Sequence, residues 1–159
     1  MTDLSIESQG FELFISLDGT TVLKFDCPTA IEGIGFSTSE RSNTCLDSAN
    51  ETARPGRKKI NPFSVPFLMQ AGSTGQEYIL DGTDNAAAEI PYCIAWSDGT
   101  SDPTLSGGAF VAPGGGTPTR TITHGTGYIS ALNWGAAENE LIRGSFTFSP
   151  LTQIYVYKA

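Results

Sequence analysis

Residues 63–69 read Phe63-Ser64-Val65-Pro66-Phe67-Leu68-Met69, an alternation that puts Phe63, Val65, Phe67 and Met69 on one side of the chain. Successive side chains of a strand point to opposite faces, so a period of two over this length predicts a half-buried β-strand. The pattern recurs in Phe11, Leu13, Ile15 and Leu17, in Ile90, Tyr92, Ile94 and Trp96, and in Ile142, Phe146 and Phe148. Four such stretches predict a mainly β protein, a β-sandwich or barrel with one core. Pro62 and Pro66 fall on the polar side of their stretch and lack the N–H a central strand needs, which places it at an edge or a bulge.

The remaining punctuation supports the same architecture. Asp18-Gly19 between the strands 11–18 and 22–27 is a hairpin signal, and Pro28 ends the second strand. A short strand follows at 34–38. Thr74 with Glu77 reads as a capping box, opening one short flanking helix that runs through Leu80 and stops at Gly82. Strands are expected at 121–134, 141–149 and 153–157, with a hairpin tip at Gly135 to Glu140. Residues 1–10 are polar and predicted to be a flexible N-terminal arm. Residues 40–58, around Cys45-Leu46, and the Gly/Pro/Ser-rich residues 101–119, around Phe110-Val111, read as long interface loops. With 159 residues, the chain is expected to form one domain, 1–159.

Chemistry narrows the function by what is missing. Seventeen carboxylates against nine Lys and Arg residues give a net charge of −8, which argues against a protein that grips nucleic acid phosphates. Four of the nine cations, Arg54, Arg57, Lys58 and Lys59, crowd one turn-like stretch. They are either solvated or an electrostatic contact onto an acidic neighbouring copy. Cys27, Cys45 and Cys93 have neither the number for a disulfide framework nor CxxC spacing for zinc, and Cys27 and Cys93 are expected to be buried thiols. His124 is the single imidazole and reads as a strand-end histidine. Glu138 and Glu140 sit in the hairpin tip. Gly114 to Gly116 lack the lysine of a phosphate loop. Trp96 and Trp134 are expected in the core, sugar stacking being the alternative. No catalytic, cofactor-binding or metal-binding residue is assigned, so the chain reads as a binding or structural protein rather than an enzyme. The first residues carry no secretion signal, no apolar run reaches membrane-spanning length, and a reducing cytoplasm is the expected place of synthesis.

The order of these pieces resembles the tail tube proteins of long-tailed bacteriophages, relatives of type VI secretion tube proteins. The likeness runs from the first hairpin into AIEGIGF (30–36) and ERSNTCLDSANE (40–51). It continues through the helix at TGQEYIL (74–80) and the strand AEIPYCIAWSDGT (88–100). It ends in TRTITHGTGYISALNWGAAENELIRGSFTFSP (119–150). The resemblance implies a β-sandwich with a flanking helix, six copies joining their sheets into a ring, and rings stacked into a tube for genome ejection. On that reading Arg41, Thr44, Leu46, Asp47, Arg54, Arg57, Lys58 and Lys59 form a subunit interface. The partners are further copies of the chain, the tape measure protein and the terminator protein. DNA passes without specific binding, and no membrane insertion is expected. The location would be the virion tail, assembled in the host cytoplasm. An acidic channel wall would repel phosphates, so the net charge is expected to face the lumen. The competing readings are a carbohydrate- or receptor-binding β-sandwich and a capsid-decorating virion protein.

Overall fold

A computed structural model of the chain describes residues 10–42, 53–81 and 89–159. The first strands are β1 (Glu12–Ile15) and β2 (Leu23–Phe25), joined through the Asp18 turn. Asp18 caps that turn by accepting from the N–H groups of Thr20 and Thr21. Next come β3 (Phe36–Ser42) and β4 (Ala53–Ile60), then β5 (Phe63–Leu68), α1 (Thr74–Leu80) and β6 (Ile90–Ala95). The chain finishes with β7 (Thr104–Ser106), β8 (Ala109–Val111), β9 (Ile122–Gly135), β10 (Arg143–Pro150) and β11 (Ile154–Val156). All strand pairs are antiparallel. The main sheet runs β2-β1-β6-β9-β10-β5, with β11 added against β9.

This sheet curls around its apolar face without closing its ladder. Phe25 of β2, at one end of the order, stands edge-on to Phe67 of β5, at the other, with ring centroids 5.2 Å apart. Phe63, Tyr92, Phe146 and Phe148 continue the aromatic core, and Leu13, Ile15, Val65, Ile90 and Ile94 fill it. The alternating stretches therefore bury the faces their period predicts, except that Leu17 and Ile142 are exposed beyond their strand ends. Gly144, between β5 and β9, has no side chain because a Cβ there would sit 2.5 Å from the Phe67 ring. Gly144→Ala is expected to lower stability by about 1–3 kcal/mol in urea unfolding, the range for overpacking a filled core.

The edges are covered locally. β5 closes one end of the sheet, and Cys27 to Glu32 lie along its outer side: Thr29 N–H donates to Pro66 O at 2.8 Å and Leu68 N–H to Cys27 O at 3.1 Å. The edge position read from Pro62 and Pro66 is thus correct. At the other end α1 packs on β2. Its cap differs by one residue from the expected Thr74. Ser73 is the N-cap and accepts from Gln76 N–H, which puts Gln76 rather than Glu77 in the third helical position. The Gln76 amide does not turn back to the cap. It donates to Asp26 O at 2.7 Å and Leu68 O at 2.9 Å, tying β2 to β5.

Three further expectations change. Residues 101–119 form a hairpin, β7–β8, whose Phe110 packs with Ala112 on Phe14, Cys93, Ala95 and Ile122. Its apolar centre is a second core, so β1 and β6 are buried on both faces. Residues 40–58 are not one loop, because strands β3 and β4 occupy both of its flanks, pairing across it. Cys27 is exposed, just past β2 with φ 53°, and its thiol donates to Gln70 Oε1, whereas Cys93 is buried and its thiol is pushed up to about 12. Residues 1–9 of the expected arm lie outside the described residues, as does Gly82. No helix among the described residues is long and apolar enough to cross a membrane.

Candidate subunit interface

β3 and β4 form a two-stranded hairpin that belongs to no larger sheet. All seven residues of β3 are exposed, and in β4 only Gly56 and Ile60 are partly covered. A two-stranded ribbon in water is marginal by itself. Its base is held by the Phe36–Ile60 pair, by Asn61 N–H donating to Gly35 O at 3.0 Å, and by the Lys58 ammonium 3.8 Å from the Phe36 ring centroid. Midway, the register slips between Thr38 and Glu40. Ser39 Oγ accepts from Arg57 N–H at 3.0 Å there, and Gly56 leaves room that a Cβ would take from the Ser39 backbone. The extra residue is a bulge, which adds twist and re-aims the outer half of the arm.

The arm concentrates the chain's positive charge. Arg41, Arg54, Arg57, Lys58 and Lys59 are five of the nine Lys and Arg residues, and all are exposed strand residues rather than a turn. Register places Lys59 opposite Ser37 and Arg54 opposite Arg41, so one face of the ribbon is basic, with Arg57 beside Ser39. Two like charges directly opposed across a strand pair destabilise it. The ion pairs among the described residues lie elsewhere: Lys24 and Arg120 both meet Glu12 in the body. Of the expected interface residues, Arg41, Arg54, Arg57, Lys58 and Lys59 come together on this arm. Thr44, Leu46 and Asp47 fall in 43–52, outside the described residues.

A second feature was not legible in the sequence. β9 is fourteen residues long and changes partners midway. Ile122 to Gly127 pair with β6, and Gly127 to Gly135 pair with β10. From Tyr128 onward no strand of the described chain lies along its other side, so this half carries an open edge. Open edges are templates for strand addition. Exposed apolar residues border it: Trp134 is 65% exposed and Leu141 69%. Trp134 is therefore not core, contrary to expectation. Trp96 is partly buried, packs at a tilt against Phe11 and donates to Thr123 Oγ1. Trp96 bonds Thr123 near the start of β9 and Trp134 lies near its end, so the two indoles make no shared platform. His124 sits within β9 between Cys93 and Ile154, with burial holding it below its ordinary pKa. Glu138 and Glu140 are exposed in the hairpin tip, as read.

Comparisons with known proteins bear on the family and the fold. The family described as phage tail tube, TTP, lambda-like matches residues 4–156. "Structural protein 3" of Pseudomonas phage PAJU2 is 33% identical over 102 residues, which cover 62% of this chain and 60% of that protein. The chain thus aligns with less than two thirds of that relative's length. Among solved structures, the SPP1 tail tube gives a TM-score of 0.65 at 15% identity, covering 95% of this chain and 78% of that one. The sheath–tube complex of the extracellular contractile injection system PVC gives 0.66 at 12%, covering 99% and 95%. The tail of an empty GTA particle gives 0.63 at 12%, covering 98% and 100%. At these identities the structures speak for the fold.

Proposed function

Because the chain belongs to the lambda-like phage tail tube family and serves as a structural protein of the phage tail, we propose that it works by closing into hexameric rings that stack into the conduit for DNA ejection. The observation that carries this reading is the pairing of an exposed basic arm with an open sheet edge on one body. A single copy leaves both unsatisfied. A head-to-tail assembly satisfies both in every copy, because each heterologous contact repeats until the ring closes. The basic face of β3–β4 meets carboxylates of a neighbouring copy, for which the body has a large excess: outside the arm the described Lys and Arg residues are only Lys24, Arg120, Arg143 and Lys158. Thr44, Leu46 and Asp47 extend the same contact from the connection between the two strands. The whole of 1–159 acts as one tube domain with no catalytic role. Its partners are further copies, the tape measure protein and the terminator protein. Assembly takes place in the host cytoplasm.

The test is charge reversal on the arm. Arg57→Glu combined with Lys59→Glu should leave the monomer's circular dichroism and melting unchanged, because both side chains are exposed and neither takes part in the Lys58–Phe36 contact at the base of the arm. It should raise the concentration needed for polymerisation at least tenfold, with the defect shrinking as salt is added. Each exposed pair contributes only about 0–1 kcal/mol. The contact repeats six times per ring, so small losses multiply. Sedimentation and negative-stain microscopy read the result. Unchanged tube formation at low salt would mean that the arm's cations are merely solvated.

A further inference from the structure

A pocket of about 730 Å³ is lined by residues of neither the basic arm nor the open edge. Phe11 before β1, Trp96 after β6 and Tyr155 of β11 form one wall, and Ile31 and Ile34, on the stretch that runs along β5, belong to the other. Phe11, Ile31, Ile34 and Trp96 pack against the main core, yet each stays partly uncovered. No lining side chain is charged, and the polar side chains are already engaged. Trp96 Nε1 donates to Thr123, Thr29 Oγ1 donates to Pro66 O, and the Tyr155 hydroxyl accepts from Gln153. Such a pocket favours an apolar occupant over an ion, a phosphate or a sugar, whose polar groups would be left unpaired.

We propose that this pocket holds the chain's own Leu4 and Ile6, folded back onto the body that follows them. The described chain starts at Gly10, itself on the pocket's rim, where Arg120 Nη2 donates to its carbonyl at 3.3 Å and fixes the point of departure. The preceding residues, Met1 to Gln9, carry Leu4 and Ile6 with Ser5 between them. In an extended segment that spacing turns both apolar side chains to one side and Ser5 and Glu7 to the other. Reach favours the chain's own pocket. At about 3.5 Å per residue, Ile6 is at most about 14 Å from Gly10 and Leu4 at most about 21 Å. A neighbouring copy's segment starts from its own Gly10, so it serves this pocket only where the two rims lie within that distance. A tether of about four to six residues also gives an effective concentration of about millimolar, which a free partner rarely matches. The segment then closes the pocket as a plug seated on Phe11 and Trp96. This placement is a property of the single chain and does not depend on the tube reading.

Trp96 reports the occupant. In a Trp134→Phe background it is the one remaining indole. Adding Leu4→Ser with Ile6→Ser should shift its emission to the red and raise its quenching by acrylamide, with circular dichroism unchanged. An unchanged Trp96 signal would overturn the proposal. Crosslinking separates the chain's own segment from a neighbour's. In a Cys27→Ser, Cys45→Ser background, Ile6→Cys is combined with Ala30→Cys on the pocket wall and oxidised with diamide. The protein is held at about 1 µM, far below the effective concentration of the tether. The bridge should form within single chains, seen as a faster monomer band on non-reducing gels. Ile6→Cys combined with Leu141→Cys, on the β9–β10 turn, should stay open. Bridges that form only between chains, or equally well with both partners, overturn the proposal. Both readouts are taken on monomer, so a failure to form tubes overturns the assembly reading alone.

Discussion

Arg120→Met should lower the unfolding free energy by about 3–5 kcal/mol, because several buried carbonyls lose their donor at about 1–3 kcal/mol each while Glu12 keeps its pair with Lys24. Arg120 is only 1% exposed, the most buried charged side chain described. Its Nε donates to Trp96 O at 2.6 Å and its Nη1 to Glu12 Oε2 at 2.7 Å and Ser101 O at 3.3 Å. Nη2 donates to Gly10 O and Ala95 O. One planar fork thus ties the entry of β1, the end of β6 and the start of the β7–β8 insertion together. Methionine fills similar volume but leaves those carbonyls without a donor. Urea unfolding followed by circular dichroism measures the loss, and a midpoint equal to the parent's would show that water replaces the guanidinium. The acid limb gives a second readout. Burial alone would raise the Glu12 pKa, but hydrogen bonds from Lys24 and Arg120, with their charges, outweigh it and hold the carboxyl below its ordinary 4.5. A carboxylate held low contributes stability above its unfolded pKa and loses it as pH falls through the folded value. The variant should therefore lose less stability than the parent on acidification through that range.

Phe146→Ala should cost about 3–5 kcal/mol as well, for a different reason. Phe146 is 1% exposed and packs on Phe25 at 5.3 Å and on Phe67 at 6.1 Å, so it joins β10 to both ends of the sheet order. Removing the ring leaves a cavity that the surrounding strands cannot close, because their register is set by ladders on both sides. Phe148→Ala should behave alike, since the Phe148 ring stacks on Phe63 and packs at a tilt against Tyr92. Thermal melting compares each with the parent. A shift of under one degree would show that the core collapses around the gap.

The two predictions differ in how visible their residues are in the sequence. Phe146 and Phe148 announce themselves by period, because alternation is a local property of a strand that one half-buried face imposes. Arg120 does not. It follows Thr-Pro-Thr in a Gly/Pro-rich stretch, and its partners lie from 19 to 110 residues away. The same contrast explains the interface. The cluster at 54–59 is readable as charge, and the contact proposed for it rests on that charge and on the family resemblance. Its placement on a strand was not readable, because β4 pairs only with β3 and buries almost nothing, so no apolar alternation marks it. The β7–β8 hairpin escaped for the opposite reason: three-residue strands are too short to establish a period, and glycines around them read as flexibility.

Local chemistry by itself determined the strands that carry an apolar alternation and their core faces, the Asp18 hairpin and the helix at 74–80. These depend on spacing within a few residues. Tertiary structure decided everything that depends on which edges and faces remain uncovered. Cys27 to Glu32 cover β5, α1 covers β2 and the insertion seals half of the outer face, while β9 outruns β6 and, among the described residues, leaves Tyr128 to Gly135 open along one side. An edge or a face is free only by comparison with everything else in the fold, and no window of sequence contains that comparison.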